Sequence, residues 1–354
     1  MKSNMFSKLL FVNLFFISVC PFLVVANTPS EMADLSLQEL FALSTDDMDM
    51  RTYEPWHFNF LYKRSKLDGY LNGNDKVSND EVYFDGDEPR TDDNYPILPT
   101  IITQESYIAN ISYFLAKEQS ISISLPYIVQ STDHISLVPD YDEFNISSDG
   151  IGDITVNFTT LLKSWNSEKL SLSVGVSLPT GSIDEEGDTP RAEGDQQLPY
   201  TMQLGSGTWD LPIGLSYIND QDSYLWGVNL FAKIRSGKND RDYRLGNRFA
   251  ASLWSKWTVN NAFHPVMKVV FQDWGQIVGQ DDEITVPNPK FPYPAGITKP
   301  SNYGGQKVSV VVGADIILYS QAFAIEIGKP VYQNLNGIQT KETLNFSLNW
   351  QNSF

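Results

Sequence analysis

Cysteine is all but missing from the 354 residues: Cys20 stands alone, inside an apolar run from Leu9 to Val25. Lys2 and Lys8 precede that run, and Val24-Val25-Ala26 supplies the small residues a signal peptidase reads, so cleavage is expected near Ala26. The mature chain would then hold no thiol, which excludes disulfides and cysteine chemistry. Histidine is nearly as scarce. His57, His134 and His264 stand far apart in sequence, so no metal centre is expected, and no cofactor. Nothing after Val25 is an apolar stretch long enough for a helix to cross a membrane. Basic residues are also few: 25 Lys and Arg face 43 Asp and Glu, a net charge of −18 that becomes −20 once Lys2 and Lys8 are removed. So acidic a chain is no nucleic-acid binder. With 42% hydrophobic and 13% aromatic residues, it is no disordered chain either.

What is present is alternation with a period of two. The last stretch places Leu344, Phe346, Leu348 and Trp350 on one face and Asn345, Ser347, Asn349 and Gln351 on the other, and ends at Phe354. That pattern resembles the assembly signal of bacterial outer-membrane β-barrels. Twelve segments alternate in this way, at 56–64, 104–117, 119–129, 150–164, 168–179, 208–219, 223–236, 245–259, 263–274, 304–319, 321–333 and 340–354. Tyr107, Ile111, Tyr113 and Leu115 share a face, as do Ile121, Ile123, Leu125 and Tyr127, while Ser120, Ser122, Ser124, Ser171, Ser173 and Ser177 occupy the opposite one. A sandwich core needs apolar inner faces, whereas a barrel with a wet lumen needs polar ones.

Joins add a second signal. They are short around Glu118, Asn166, Asp220, Asn260 and Ser320, and mostly long in between, at 65–103, 130–149, 180–207 and 275–303, with shorter ones at 237–244 and 334–339. Alternating short turns and long loops, with an even strand count, predict an all-β fold: a transmembrane antiparallel up-and-down β-barrel of about 12 strands. Ahead of it, Leu37, Leu40 and Phe41 behind Asp34 and Ser36 predict a short amphipathic helix, either periplasmic or plugging the lumen. The expected organisation is a signal peptide over 1–26, an N-terminal segment over 27–55 and a barrel over 56–354.

A barrel of this width leaves a narrow passage, so selectivity is sought on inward positions. The alternation points Lys233, Arg235, Arg248, Lys256 and Lys268 into the lumen, with Asp315 and Glu326. Side by side, cationic and anionic sectors would either orient a polar or anionic solute or pair with one another and stiffen the wall. Trp254 and Trp274 either contact an aromatic solute or belong to the interfacial girdles. The loops are acidic, as at Asp184-Glu185-Glu186 and Asp281-Asp282-Glu283, with no spacing of a calcium loop, and are read as solvated. Pro287, Pro289, Pro292, Pro294 and Pro300 stiffen the loop at 275–303, which could fold over the mouth. His134 and Ser136 are similar to the His and Ser of outer-membrane phospholipase, but no Asn partner can be assigned, and a surface-loop position stands as the alternative.

Three stretches together resemble a family of outer-membrane transporter-like proteins named for the meta-pathway of phenol degradation. They are Gly150-Ile151-Gly152-Asp153-Ile154, Ser177-Leu178-Pro179-Thr180-Gly181 and Leu204-Gly205-Ser206-Gly207-Thr208-Trp209-Asp210, within a likeness that spans residues 150–354. Each is a glycine-bearing strand end with an expected structural role. The resemblance, which extends distantly to fatty-acid and aromatic-hydrocarbon channels, implies passive uptake of small compounds, hydrophobic or aromatic ones among them. The expectation is therefore a non-enzymatic channel or substrate-selective transporter in the outer membrane of a Gram-negative bacterium. Its partners would be membrane lipid, a small-molecule solute and the barrel-assembly machinery, engaged through the strand ending at Phe354. A non-conducting barrel whose loops bind a surface partner is the alternative.

Overall fold

A computed structural model describes residues 55–319 and 321–353. The expected signal peptide, the N-terminal helix, Ser320 and Phe354 lie outside the described residues. The strands are β1 (Trp56–Gly73), β2 (Ile97–Ala116), β3 (Gln119–Ser136), β4 (Glu143–Ile151), β5 (Thr155–Trp165), β6 (Glu168–Ser177), β7 (Asp210–Gln221), β8 (Tyr224–Arg235), β9 (Arg248–Trp257), β10 (Phe263–Trp274), β11 (Gly305–Leu318) and β12 (Gln321–Ser353). Each strand except β4 pairs antiparallel with its neighbours in a ring, which closes where β12 meets β1. Two further strands of this sheet sit outside the ring, β4 on the upper part of β3 and the short Asp75–Val77 on β1, and among the described residues two small two-stranded sheets lie in the loops.

Eleven assigned strands thus close the ring where alternation predicts twelve segments. The difference lies in β12, whose 33 residues form a folded-back ribbon. Its first part pairs with β11, from Gln321 opposite Leu318 to Leu335 opposite Gly305, and its last part pairs with β1, ending with Ser353 opposite His57. Trp350 Nε1 donates to Gln321 Oε1 at 3.1 Å across the ribbon, so its two ends lie side by side.

Lipid-facing and lumen-facing positions follow the pleat. Ile111, Ile123, Leu125, Phe158, Val176, Leu230, Leu253, Val269, Val312 and Ile327 are all exposed on the outside. Ser106, Ser120, Ser124, Asn157, Thr159, Ser171, Ser173 and Asn229 are buried on the inside. Such an exposed apolar face is stable only against lipid. Among the described residues no helix is long and apolar enough to cross a membrane.

The wall is uneven in height. β5 to β10 run 10 to 12 residues, enough to cross the apolar layer at a tilt, whereas β1, β2 and β3 run 18 to 20. These taller strands continue through stretches read as loops at 65–103 and 130–149. Above the bilayer, apolar alternation has no lipid to match, and Gln130-Ser131-Thr132-Asp133 is polar on both faces. The segment expected at 150–164 is broken: β3 pairs Tyr127 with Ile151 and Ser124 with Thr155, so one extra residue is inserted around Gly152-Asp153-Ile154. This bulge separates β4 from β5 and turns Asp153 inward, where it is 7% exposed.

Candidate functional site

The inner wall carries a ladder of ion pairs. Lys256 Nζ lies 3.2 Å from Asp315, and Lys268 Nζ lies 2.7 Å from Glu326. Higher up, Asp210 receives Arg235 at 2.5 Å and Lys233 at 3.8 Å, with all three side chains buried. Arg248 is buried at the top of β9, its guanidinium 5.6 Å from the centre of the Trp274 ring. Lys307 approaches the same ring to 5.7 Å and forms an ion pair with Glu342. All seven charges picked from the alternation therefore lie on the inner wall, most of them in pairs.

Alternation alone missed Asp210, Lys307, Glu342 and Lys63. Lys307 shares the parity of Asp315 and was legible on β11. Glu342 was hidden, because β1 pairs Lys66 with Leu344 and Leu67 with Glu342, which leaves Thr343 as an extra residue and reverses the parity above it. Asp210 closes one of the three glycine-bearing stretches, at the start of the segment 208–219, and was read there only as part of a strand end.

Those three stretches meet in one buried polar knot at the upper rim. Asp153 accepts from Gly181 N at 3.0 Å, from Ser206 N at 2.9 Å and from Ser206 Oγ at 2.6 Å. Thr180 Oγ1 donates to Gly152 O at 2.9 Å, and Ile154 N donates back to Thr180 Oγ1 at 2.8 Å. Thr208 Oγ1 donates to Asp210 at 2.7 Å, and Lys233 donates to Ser177 Oγ at 3.1 Å. Gly181 and Gly205 touch through their backbones: a Cβ on Gly205 would fall 2.2 Å from Gly181 O. The knot pins the chain leaving β6 and the chain entering β7 to the bulge.

Between those pinned ends, residues 178–209 turn inward over the lumen. Ser148 Oγ donates to Met202 O at 2.6 Å, and Met202 is fully buried. Tyr200 meets Tyr243 and Tyr303 edge-on at 4.8 and 5.6 Å, in a core with Leu245, Ile277 and Ile284. Three loops, at 178–209, 236–247 and 275–304, thus form a packed cap. Arg241 clasps them together, reaching Asp184 at 2.6 Å, Glu283 at 2.8 Å and Asp281 at 3.5 Å. Burial alone would weaken the Arg241 charge, but its bonds to Glu283 and Asp184 raise its pKa well above the ordinary value. Burial also raises the Asp281 carboxyl, and pushes the Tyr95 hydroxyl up to about 12. The acidic runs read as solvated are therefore partly built into the cap.

Among the described residues, two cavities lie inside the barrel. The larger, about 110 Å³, is bounded by β1 and β8 to β12 and includes the Lys256–Asp315 and Lys268–Glu326 pairs. The smaller, about 30 Å³, lies under the cap between Thr201, Ile297, Asn302 and Tyr303 and the wall residues Tyr70, Ile102 and Trp274. Glu342 lines both, so the Lys307–Glu342 pair stands at the level where the two cavities meet.

His134 lies inside β3 and not in a loop, buried and stacked on Phe144 at 4.6 Å with Nδ1 3.1 Å from Thr132 O. Ser136 Oγ accepts from Val138 N. Both residues are buried, at 4% exposed each. Trp254 and Trp274 are buried inside, which separates them from the girdles.

A closed antiparallel sheet with an apolar exterior and a charged lumen defines a membrane-spanning β-barrel. The chain belongs to the family described as the "MetA-pathway of phenol degradation", whose model matches residues 108–287, just over half of its length. The match starts earlier than the likeness read from the three motifs, taking in the second half of β2 from residue 108 and all of β3, and stops before β11. No curated protein matches the chain. Among solved structures, an outer membrane channel from Pseudomonas putida F1 is similar over 87% of this chain and 98% of its own, at 13% identity and a TM-score of 0.57, which supports the fold. The P. putida toluene transporter TodX (9% identity, 86% of this chain and 91% of that one) has a TM-score of 0.45. The translocator domain of the autotransporter NalP from Neisseria meningitidis (7% identity, 92% and 98%) has the same TM-score, so neither likeness bears on function.

Proposed function

We propose that this protein is an outer-membrane channel or substrate-selective transporter, passing small molecules down their gradient through the charged lumen. The carrying observation is the closed barrel with a lipid-facing belt outside and a ladder of ion pairs inside, interrupted by cavities. The family's description, which concerns phenol degradation, makes small aromatic compounds the first solutes to try. Lys233, Arg235, Arg248, Lys256, Lys268, Asp315 and Glu326 would set selectivity, joined by Lys307 and Glu342 where the two cavities meet. A lumen charged in this way sorts solutes by sign and dipole. Residues 1–26 would direct export, 27–55 would lie in the periplasm or plug the lumen, and the strand ending at Phe354 would engage the assembly machinery. No catalytic chemistry enters this assignment.

One observation favours a second assignment, a non-conducting barrel. The cap core of Tyr200, Tyr243 and Tyr303 closes the loop end of the lumen. Liposome swelling separates the two. The mature chain should admit small neutral solutes at a rate that falls with solute size. Absence of permeation, with and without residues 27–50, would leave the non-conducting barrel.

A further inference from the structure

We propose that the outer face of the β1–β12 seam binds the phosphate of a lipid headgroup, in the leaflet at the loop end of the barrel. The inference rests on the membrane assignment and not on conduction, so it holds for an open or a closed lumen.

The outward face of β1 changes character partway up the strand. Phe58, Phe60 and Tyr62 face lipid, and the next outward positions are Arg64, Lys66 and Asp68. The change falls at an aromatic row, in which Tyr62 lies opposite Tyr107 on β2 and Tyr107 lies opposite Tyr127 on β3. Tyr107 donates its hydroxyl to Glu105 at 2.9 Å and Tyr127 donates to Asp149, in both cases toward the loop end. Rings with one wet end mark a membrane–water interface, which puts Arg64 and Lys66 at headgroup depth.

Two more cations join them across the seam. Leu344 lies opposite Lys66, and on the other limb of the β12 ribbon a Cβ on Gly328 would fall 2.1 Å from Asn345 Oδ1, so Gly328 faces Asn345. Its neighbour Lys329 therefore faces Leu344. Lys329 and Lys66 stand at one level on staves two steps apart, roughly 10 Å at the usual strand spacing. Lys341 is nearer the loops, its Nζ 3.3 Å from where a Cβ on Gly69 of β1 would sit.

Charge sets the ligand. Glu105 takes Arg64 at 3.4 Å and Asp68 takes Lys66 at 3.0 Å, whereas no carboxylate among the described residues pairs with Lys329 or Lys341. Four cations against two carboxylates leave a surplus of two, on a chain whose net charge is −18. A phosphate monoester, with a charge of about −1.5 to −2, matches that surplus and takes charge-assisted bonds from Lys and Arg. The wall below favours a lipid over free phosphate, because Phe60, Ile327 and Leu348 are exposed there to receive acyl chains. General interfacial anchoring would spread cations around the ring, but the opposite wall presents Leu211 and Phe249 at its upper end.

Native mass spectrometry of the purified protein in detergent tests this with dioleoyl phosphatidate, dioleoylglycerol and inorganic phosphate. One phosphatidate should be retained, with the other two weaker by about tenfold or more. Lys66→Gln combined with Lys329→Gln should weaken phosphatidate about tenfold and leave dioleoylglycerol unchanged. Lys117→Gln combined with Lys163→Gln removes the same charge at the opposite end of the barrel and should change neither. Equal retention of phosphatidate and dioleoylglycerol, or equal losses in the two double variants, would overturn the site. Inorganic phosphate bound as tightly as phosphatidate would overturn the lipid as its ligand. Folding into phosphatidylcholine vesicles, read by heat-modifiable mobility, separates the two levels: a barrel that inserts without preferring phosphatidate loses this site alone, and one that does not insert overturns the membrane assignment with it.

Discussion

Ser206 gives Asp153 both its backbone N–H and its hydroxyl, at 2.9 and 2.6 Å, across 53 positions of sequence. A single carboxylate thereby holds the bulge between β4 and β5, the exit of β6 and the entry to β7 in register. Asp153→Ala should strand the N–H groups of Gly181 and Ser206 and remove a negative charge near Lys233. A loss of roughly 3 kcal/mol is expected. Urea unfolding followed by tryptophan fluorescence reads it, and an unshifted midpoint would show that the knot holds nothing.

The Asp281 contribution to closure of the cap should grow as the medium becomes acidic. Asp281 has a pKa raised above the ordinary 3.8, chiefly by burial, so the closed cap binds its proton more tightly than an opened loop would. Its contribution to closure is fully present below 3.8 and is lost as pH rises through the raised value. Hydrogen exchange over residues 275–303, corrected for intrinsic rates, should show protection falling through that window. Asp281→Asn should flatten the profile.

Removing one member of a lumen pair should change ionic preference. Lys256→Gln leaves Asp315 facing the lumen without its 3.2 Å partner, which favours cations. In planar bilayers under a salt gradient, the reversal potential should move toward the cation value. Lys256→Gln combined with Asp315→Asn should bring it back. A reversal potential unmoved by the single change would place the conducting path elsewhere.

Leu253 tests the lipid belt. It is 55% exposed on the outer face of β9, next to the inward Ser252. Leu253→Arg should cost about 2–4 kcal/mol if the site lies near the bilayer midplane. Folding into lipid vesicles, judged by heat-modifiable mobility, should fall sharply for Arg and little for Ala. Equal yields would mean that this face does not contact lipid.

What was legible in the sequence is what lipid enforces. Ile123, Val176, Leu253 and Ile327 alternate because hydrocarbon lies outside them and polar neighbours inside, and the short turns mark where the chain reverses. The upper halves of β1 and β3 were hidden, since above the bilayer nothing imposes a two-residue rhythm. Glu342 was hidden by the extra Thr343 in the β1–β12 ladder. The meeting of Asp153, Gly181 and Ser206 was hidden for a different reason: each stretch looks like an ordinary strand end, and only the closed ring brings them into one place.

The seam between β1 and β12 has a kinetic consequence. Asn59 Nδ2 donates to Asn349 Oδ1 at 2.6 Å, joining residues 290 positions apart. No other pair of neighbouring strands in the ring spans so much chain, and the entropy of closing a loop grows with its length. The last ladder to zip should therefore be this one, after the intervening staves have formed as local hairpins. Until then, two unpaired edges exist at once, and a nascent barrel is at its most vulnerable to edge-to-edge aggregation in the interval before residue 349 arrives beside residue 59.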